Sequence, residues 1–249
     1  MARILLRVAY DGTDFHGWQV QPQMRTVEGE LNRALKELTG EDIEVIGASR
    51  TDAGVHGKGN VAVFDTKSSI PADKFMYAIN TKLPEDVSVI ESKKVDEDFH
   101  PRHCDSRKTY EYRIYESKIN DPLKRRNAYR CQVPLNVENM NEAAGYLVGE
   151  HDFKSFCSVH TQADTTVRKL YSANVSREGE YIVIRVEGAG FLYNMVRIIA
   201  GSLMEVGSGK YKPEHIKDIL ESTDRTVAGP TAEAQGLTMI GIKFDAQDY

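Results

Sequence analysis

What most constrains the fold is the order in which two hydrophobic periods succeed one another along the first hundred residues. Residues 3–10 alternate as a strand and run into Asp11-Gly12-Thr13-Asp14, a turn-rich tetrad that cannot continue regular structure cheaply. Thr26 is placed to cap a helix. Val27, Leu31, Ala34, Leu35 and Leu38 then recur on one face, Glu28 and Glu30 occupy the first turn, and Gly40 follows the end. Residues 43–49 and 60–66 are rich in β-branched side chains and bracket a polar loop at 50–59, while 72–80 reads as a helix and 87–93 as a strand. The succession β-α-β-β-α-β is the ferredoxin-like order and places the chain in the α+β class.

A comparable set of elements returns further on. It comprises a strand at 108–116, a helix at 137–148, strands at 166–177 and 181–187, a helix at 191–206, a helix opened by Pro213 and running to 220, and a last strand at 237–244. No low-complexity linker separates the two sets. The expected architecture is two ferredoxin-like lobes, 1–105 and 106–249, with fused mixed or antiparallel sheets flanked by helices and a catalytic cleft between the lobes.

Composition excludes several classes. A chain of 249 residues that is 41% hydrophobic and 28% charged is neither disordered, collagen-like nor coiled coil. No apolar run reaches the roughly 18 to 20 residues that cross a bilayer, and Arg3 and Arg7 interrupt the N-terminus where a signal peptide needs an apolar block, so no membrane role and a cytoplasmic location are expected. Cys104, Cys131 and Cys157 are odd in number and widely spaced, and are read as reduced. His151, Cys157 and His160 could supply three metal ligands, but no fourth follows at regular spacing and no metal is expected.

The net charge of -5 hides an uneven distribution. Residues 101–131 hold 9 of the 32 Lys and Arg against 4 of the 37 Asp and Glu, while both flanking stretches are acidic. That band includes Arg107, Lys124, Arg125 and Arg126 and is interleaved with tyrosines, a composition suited to phosphates and stacked bases.

The stretch 188–204 carries a single formal charge, Arg197, and is expected to be a buried helix. Arg197 shares a face with Tyr193, Asn194, Ala200 and Gly201, small neighbours that leave room for a partner. A buried guanidinium stays charged, and breaking such a pair costs on the order of 3 to 5 kcal/mol, so Arg197 demands an anion. Asp52 is the natural candidate, set in a glycine-rich loop with Arg50 two residues before it. Gly54, Gly57 and Gly59 fit neither a dinucleotide fingerprint nor a phosphate loop, and read as allowing close approach of backbone to substrate.

Five ordered motifs then carry a resemblance. Tyr10-Asp11-Gly12-Thr13-Asp14-Phe15-His16-Gly17-Trp18-Gln19, Arg50-Thr51-Asp52-Ala53-Gly54-Val55-His56 and Arg107-Lys108-Thr109-Tyr110-Glu111-Tyr112 are three of them. The others are Gly149-Glu150-His151-Asp152-Phe153 and Gly190-Phe191-Leu192-Tyr193-Asn194-Met195-Val196-Arg197. Together they resemble the pseudouridine synthase A family across nearly the whole chain. The resemblance implies the pseudouridine synthase fold, an intramolecular isomerase acting on uridines 38, 39 and 40 of the tRNA anticodon stem-loop, no cofactor, and a homodimer whose subunits both touch one tRNA. It implies Asp52 as the catalytic nucleophile or base, Arg197 as its paired cation, Tyr110 stacking on the target uracil and Arg50 holding the flipped nucleotide. Arg107, Lys124, Arg125 and Arg126 would follow the RNA backbone. Ser49 and Gly57 depart from the family pattern, and residues 117–130 match it loosely, which bears on which uridines are chosen. Two rival readings are a non-catalytic RNA-binding protein using the basic band, and a hydrolase pairing Asp52 with His16 or His56, for which no second carboxylate stands at an orienting spacing.

Overall fold

A computed structural model of the chain describes residues 1–158 and 163–245. It is an α+β protein with ten strands and five helices among the described residues. The described chain divides into two compact units: Met1–Asp105 with residues 239–245, and Ser106–Thr238. Most of the last strand thus falls outside a second lobe of 106–249: from Met239 on, β10 (Leu237–Phe244), a sheet neighbour of β3 (His56–Thr66), belongs to the first unit.

In the first unit β1 (Ala2–Tyr10) pairs antiparallel with both β3 and β4 (Val87–Val95), and β2 (Ile46–Gly47) pairs antiparallel with β3. The spatial order β4-β1-β3-β2 is that of a ferredoxin-like sheet. Two helices cover one face. The first, α1 (Val27–Thr39), starts where the Thr26 hydroxyl accepts the Gly29 amide and ends on Gly40 at φ +74, so both orphan ends are capped by the residues the sequence singles out. Ile4, Leu6, Val8 and Tyr10 project alternately from β1 against Val27, Leu31 and Leu35 of α1 and against Phe75 and Ile79 of α2 (Phe75–Asn80) in one buried cluster.

The second unit is built on β5 (Ser106–Glu116), β9 (Tyr181–Gly188) and β8 (Val167–Glu178), paired antiparallel in that order, with β7 (Gly149–Asp152) at the edge of β8 and the short β6 (Tyr129–Cys131) parallel to β5. Against this sheet lie α3 (Val137–Gly145) and α4 (Met195–Gly207), joined by α5 (His215–Ser222). Helix α4 is buried over most of its length, and Gly207 lets it close on α3, since a Cβ there would stand 2.6 Å from Met140 Sδ. The helix begins at Met195 rather than near 191 because Asn194 takes a left-handed conformation, φ 60, which interrupts the helical path.

One ion cluster ties the sheet of this unit together. The Glu111 side chain on β5 is 5% exposed and accepts from Arg113 Nε at 2.7 Å and from Arg185 Nη2, its cross-strand neighbour, at 2.7 Å. Burial pushes the Glu111 carboxyl upward, but the two guanidiniums outweigh it and hold the group below the ordinary carboxylate range. A depressed carboxylate contributes stability above its unfolded pKa and loses it as pH falls through the folded value. Urea titrations at stepped acidic pH should therefore show wild type more stable than Glu111→Gln near neutrality, with the difference shrinking as pH drops below the carboxylate range. A difference that is constant with pH would mean that the ion pairs add nothing.

Candidate active site

Asp52 and Arg50 lie on the irregular segment between β2 and β3 of the first unit, and buried irregular backbone persists only where its polar groups are answered. They are answered largely by the stretch that follows β1. Trp18 N–H donates to Thr51 O at 3.0 Å, Gly54 N–H to Phe15 O at 3.2 Å, and Gly12 N–H to His56 Nδ1 at 3.0 Å. The buried Thr51 hydroxyl meets the Tyr10 hydroxyl at 2.8 Å, and Asn60 Nδ2 donates to Ser49 O at 2.9 Å. Within the loop, Val55 N–H donates to Asp52 O at 3.2 Å. The two backbones approach so closely that side chains are excluded at two positions. A Cβ on Gly12 would stand 2.0 Å from Val55 O, and one on Gly17, at φ +90, would stand 2.7 Å from Thr51 O. Trp18, fully buried, seats its indole against Gly47 and tilts onto Tyr10 at 5.8 Å.

Asp52 is thereby fixed at its main chain while its side chain stays partly exposed, and Arg50 is exposed beside it. His56 is buried with Nδ1 engaged by the Gly12 amide, and His16 is exposed. His56 is thus held against the segment after β1, and its Nδ1 also lies 3.2 Å from Asp11 Oδ1, a carboxylate contact that the sequence spacing did not suggest.

The remaining expected residues belong to the second unit. Tyr110, on β5, is 6% exposed and meets Phe191 edge-on at 5.0 Å. Arg197, on α4, donates from Nε to Ala232 O at 2.7 Å and from Nη1 to Asn194 Oδ1 at 2.9 Å. Asn194 in turn donates from Nδ2 to Ser158 Oγ at 2.8 Å. The small residues near Arg197 do make room, and what enters at Gly201 is backbone: a Cβ there would stand 1.9 Å from Pro230 O. The guanidinium is thus aimed by a helix, a left-handed asparagine and a loop carbonyl, with Nε and Nη1 each engaged.

The basic band is less uniform than its composition suggests. Lys124 is held by Asp121 and Glu180 and lies against the Tyr115 ring at 5.2 Å. Arg107 stacks over Tyr171 at 4.5 Å and reaches Glu187 at 3.9 Å. Arg125 and Arg126 are exposed. No group of three metal-ligating side chains gathers among the described residues, and His160 lies outside them.

Comparison with known proteins identifies the class to which these residues belong. The sequence profile of the tRNA pseudouridine synthase family matches residues 7–127 and 143–245. A tRNA pseudouridine synthase A from Brevibacillus brevis is 48% identical over 239 residues, covering 96% of this chain and 98% of that one. Proteins of the same name from Thermoanaerobacter sp. and Ruminiclostridium cellulolyticum are 46% and 47% identical, each covering 98% of this chain and 100% of its own. The chain belongs to the tRNA pseudouridine synthase family.

The grip of the 10–18 segment on the Asp52 loop is not legible in the sequence as a contact. Its trace there is the pairing of Gly12 and Gly17 around an otherwise side-chain-rich motif. Overpacking a tight contact of this kind costs about 1 to 3 kcal/mol. Gly12→Ala should lower stability by that amount in denaturant titration and lower uridine turnover with it. Wild-type stability and turnover in Gly12→Ala would show that the close approach to Val55 O is unimportant.

Proposed function

We propose that this chain converts uridine to pseudouridine in the anticodon stem-loop of tRNA, at positions 38, 39 and 40, with Asp52 as the reacting carboxylate. The family relationship over nearly the full chain carries this reading, and the restrained backbone beneath Asp52 supports it. The reaction breaks the bond from N1 to C1′, turns the uracil and joins C5 to C1′. C5 gives up its hydrogen as a proton and N1 gains one, so there is no net redox change and no group enters from outside. The reaction as written needs no cofactor.

Such a reaction needs a nucleotide out of its stack, a carboxylate held in place, and a pocket that keeps the detached base while it turns. In this reading Tyr110 stacks on the uracil, Arg50 holds the extruded nucleotide, and Arg197 keeps Asp52 ionised and oriented. Asp52 attacks C1′, adds to uracil C6 or removes the C2′ proton; the reading accommodates each. Arg107, Lys124, Arg125 and Arg126 follow the RNA backbone, the working form is a homodimer in which both subunits touch one tRNA, and the site of action is the cytoplasm.

With C5-tritiated tRNA as substrate, Asp52→Asn should bind with near wild-type affinity yet release no tritium. Substantial tritium release by that variant removes Asp52 from the chemistry, and cleavage of the RNA strand instead would support the hydrolase reading. Neutralising Arg125 and Arg126 together should weaken binding and flatten its dependence on salt by about 0.7 to 0.9 for each phosphate no longer neutralised. An unchanged salt slope would assign both side chains to plain surface.

A further inference from the structure

Arg168, the second residue of β8, differs from the arginines of the chain that are paired with acids. Arg3, Arg7, Arg25, Arg33, Arg113 and Arg185 each lie on a carboxylate. Arg168 is half-buried and lies on none among the described residues. Its Nη1 donates to Thr165 O at 2.9 Å and to Val167 O at 2.6 Å, which pins that nitrogen to the backbone where β8 begins. A guanidinium has five N–H donors, so Nε and Nη2 are left with no acceptor among the described residues, and they form the side-on edge that takes two oxygens of one anion. Burial draws the Arg168 pKa below the ordinary guanidinium value, the neighbouring Cys157 offsetting it only in part, whereas carboxylate partners raise those of Arg3, Arg25 and Arg185. A desolvated cation without a counter-charge is costly to keep unless something else supplies the anion.

Its surroundings point to the source of that anion. Arg168 runs along the turn after β9: a Cβ on Gly190 would stand 3.8 Å from both its Cδ and its Nε. The residue after Gly190, Phe191, is the one whose ring meets Tyr110 at 5.0 Å. His151, the cross-strand neighbour of Arg168, is turned away, with Nε2 at 3.1 Å from Val148 O.

We propose that the Nε and Nη2 edge of Arg168 binds a phosphodiester of the RNA, one adjoining the nucleotide that stacks on Tyr110. This rests on the reading of the chain as a tRNA-acting enzyme and adds a binding residue outside the basic band. Two-point recognition by a planar fork, with Nη1 already pinned to backbone, distinguishes it from a lysine, whose ammonium acts as a point charge.

The test is the affinity of the full-length protein for an unmodified tRNA transcript, measured by filter binding across a series of KCl concentrations. Arg168→Gln should bind about 5- to 10-fold more weakly, with a salt slope shallower by about 0.7 to 0.9, the value of a single neutralised phosphate. Arg168→Lys should keep the slope and bind about threefold more weakly, because an ammonium keeps the charge without the fork. Wild-type affinity and slope in the folded Gln variant would overturn the proposal. Should circular dichroism show that variant unfolded, the Lys variant decides, and full wild-type affinity there overturns it. Tritium release by the unaltered protein tests the catalytic reading separately: its absence would sink that reading while the binding slopes still report on Arg168.

Discussion

The Trp18 amide bonded to Thr51 O is the contact on which the shape of the Asp52 loop rests, since it holds the carbonyl next to Asp52 where no helix or sheet ladder could. It does not act alone. Gly12 to His56, Gly54 to Phe15, and the paired hydroxyls of Tyr10 and Thr51 close the same two segments onto each other. Each such bond contributes roughly 0.5 to 1.5 kcal/mol net, while leaving one of its buried partners unmet costs about 1 to 3 kcal/mol. The penalty for opening is therefore larger than the gain for closing, so the loop and the 10–18 segment hold their arrangement together or lose it together. The glycines at 12 and 17 are the condition for that approach.

The second unit solves a different problem, that of keeping a cation on an apolar helix. Helix α4 buries ten of its thirteen residues, and Ala232 O and Asn194 Oδ1 are among the acceptors that meet Arg197 as it leaves the helix surface. A conformation with φ near +60 costs a non-glycine residue about 1 kcal/mol or more, and asparagine bears it most readily. At position 194 it does so while bridging Arg197 to Ser158.

Elements whose hydrophobic period matches their own burial were legible in the sequence. The face of α1 and its caps read directly, as did β1 and the β8–β9 hairpin, which turns through Gly179 at φ +61. What was not legible depends on partners distant along the chain. The expected strand at 43–49 shrinks to Ile46–Gly47, which pair with Val63 and Ala62 of β3. The strand expected from residue 60 begins at His56, because Gly57 and Gly59 fit flat against the Tyr10 ring and the backbone of β10. The short β6 and β7 are strands only because β5 and β8 offer edges to pair with. For the site, Asp52 and Arg197 stood out by isolation, a lone acid among glycines and a lone charge among apolar residues. The supports of both did not, since a backbone amide or carbonyl carries no letter of its own. The contact of Lys124 with Glu180 was not legible for the same reason: the two lie 56 residues apart.

Whether this fold serves uridine isomerisation is decided most directly by nucleotide-resolution mapping of pseudouridine in tRNA from cells lacking this protein and from the same cells carrying it again. The account predicts that pseudouridine at positions 38, 39 and 40 disappears in the first and returns in the second, with other positions untouched. Persistence of pseudouridine at all three positions without the protein, or its loss only at positions elsewhere in tRNA, would contradict it.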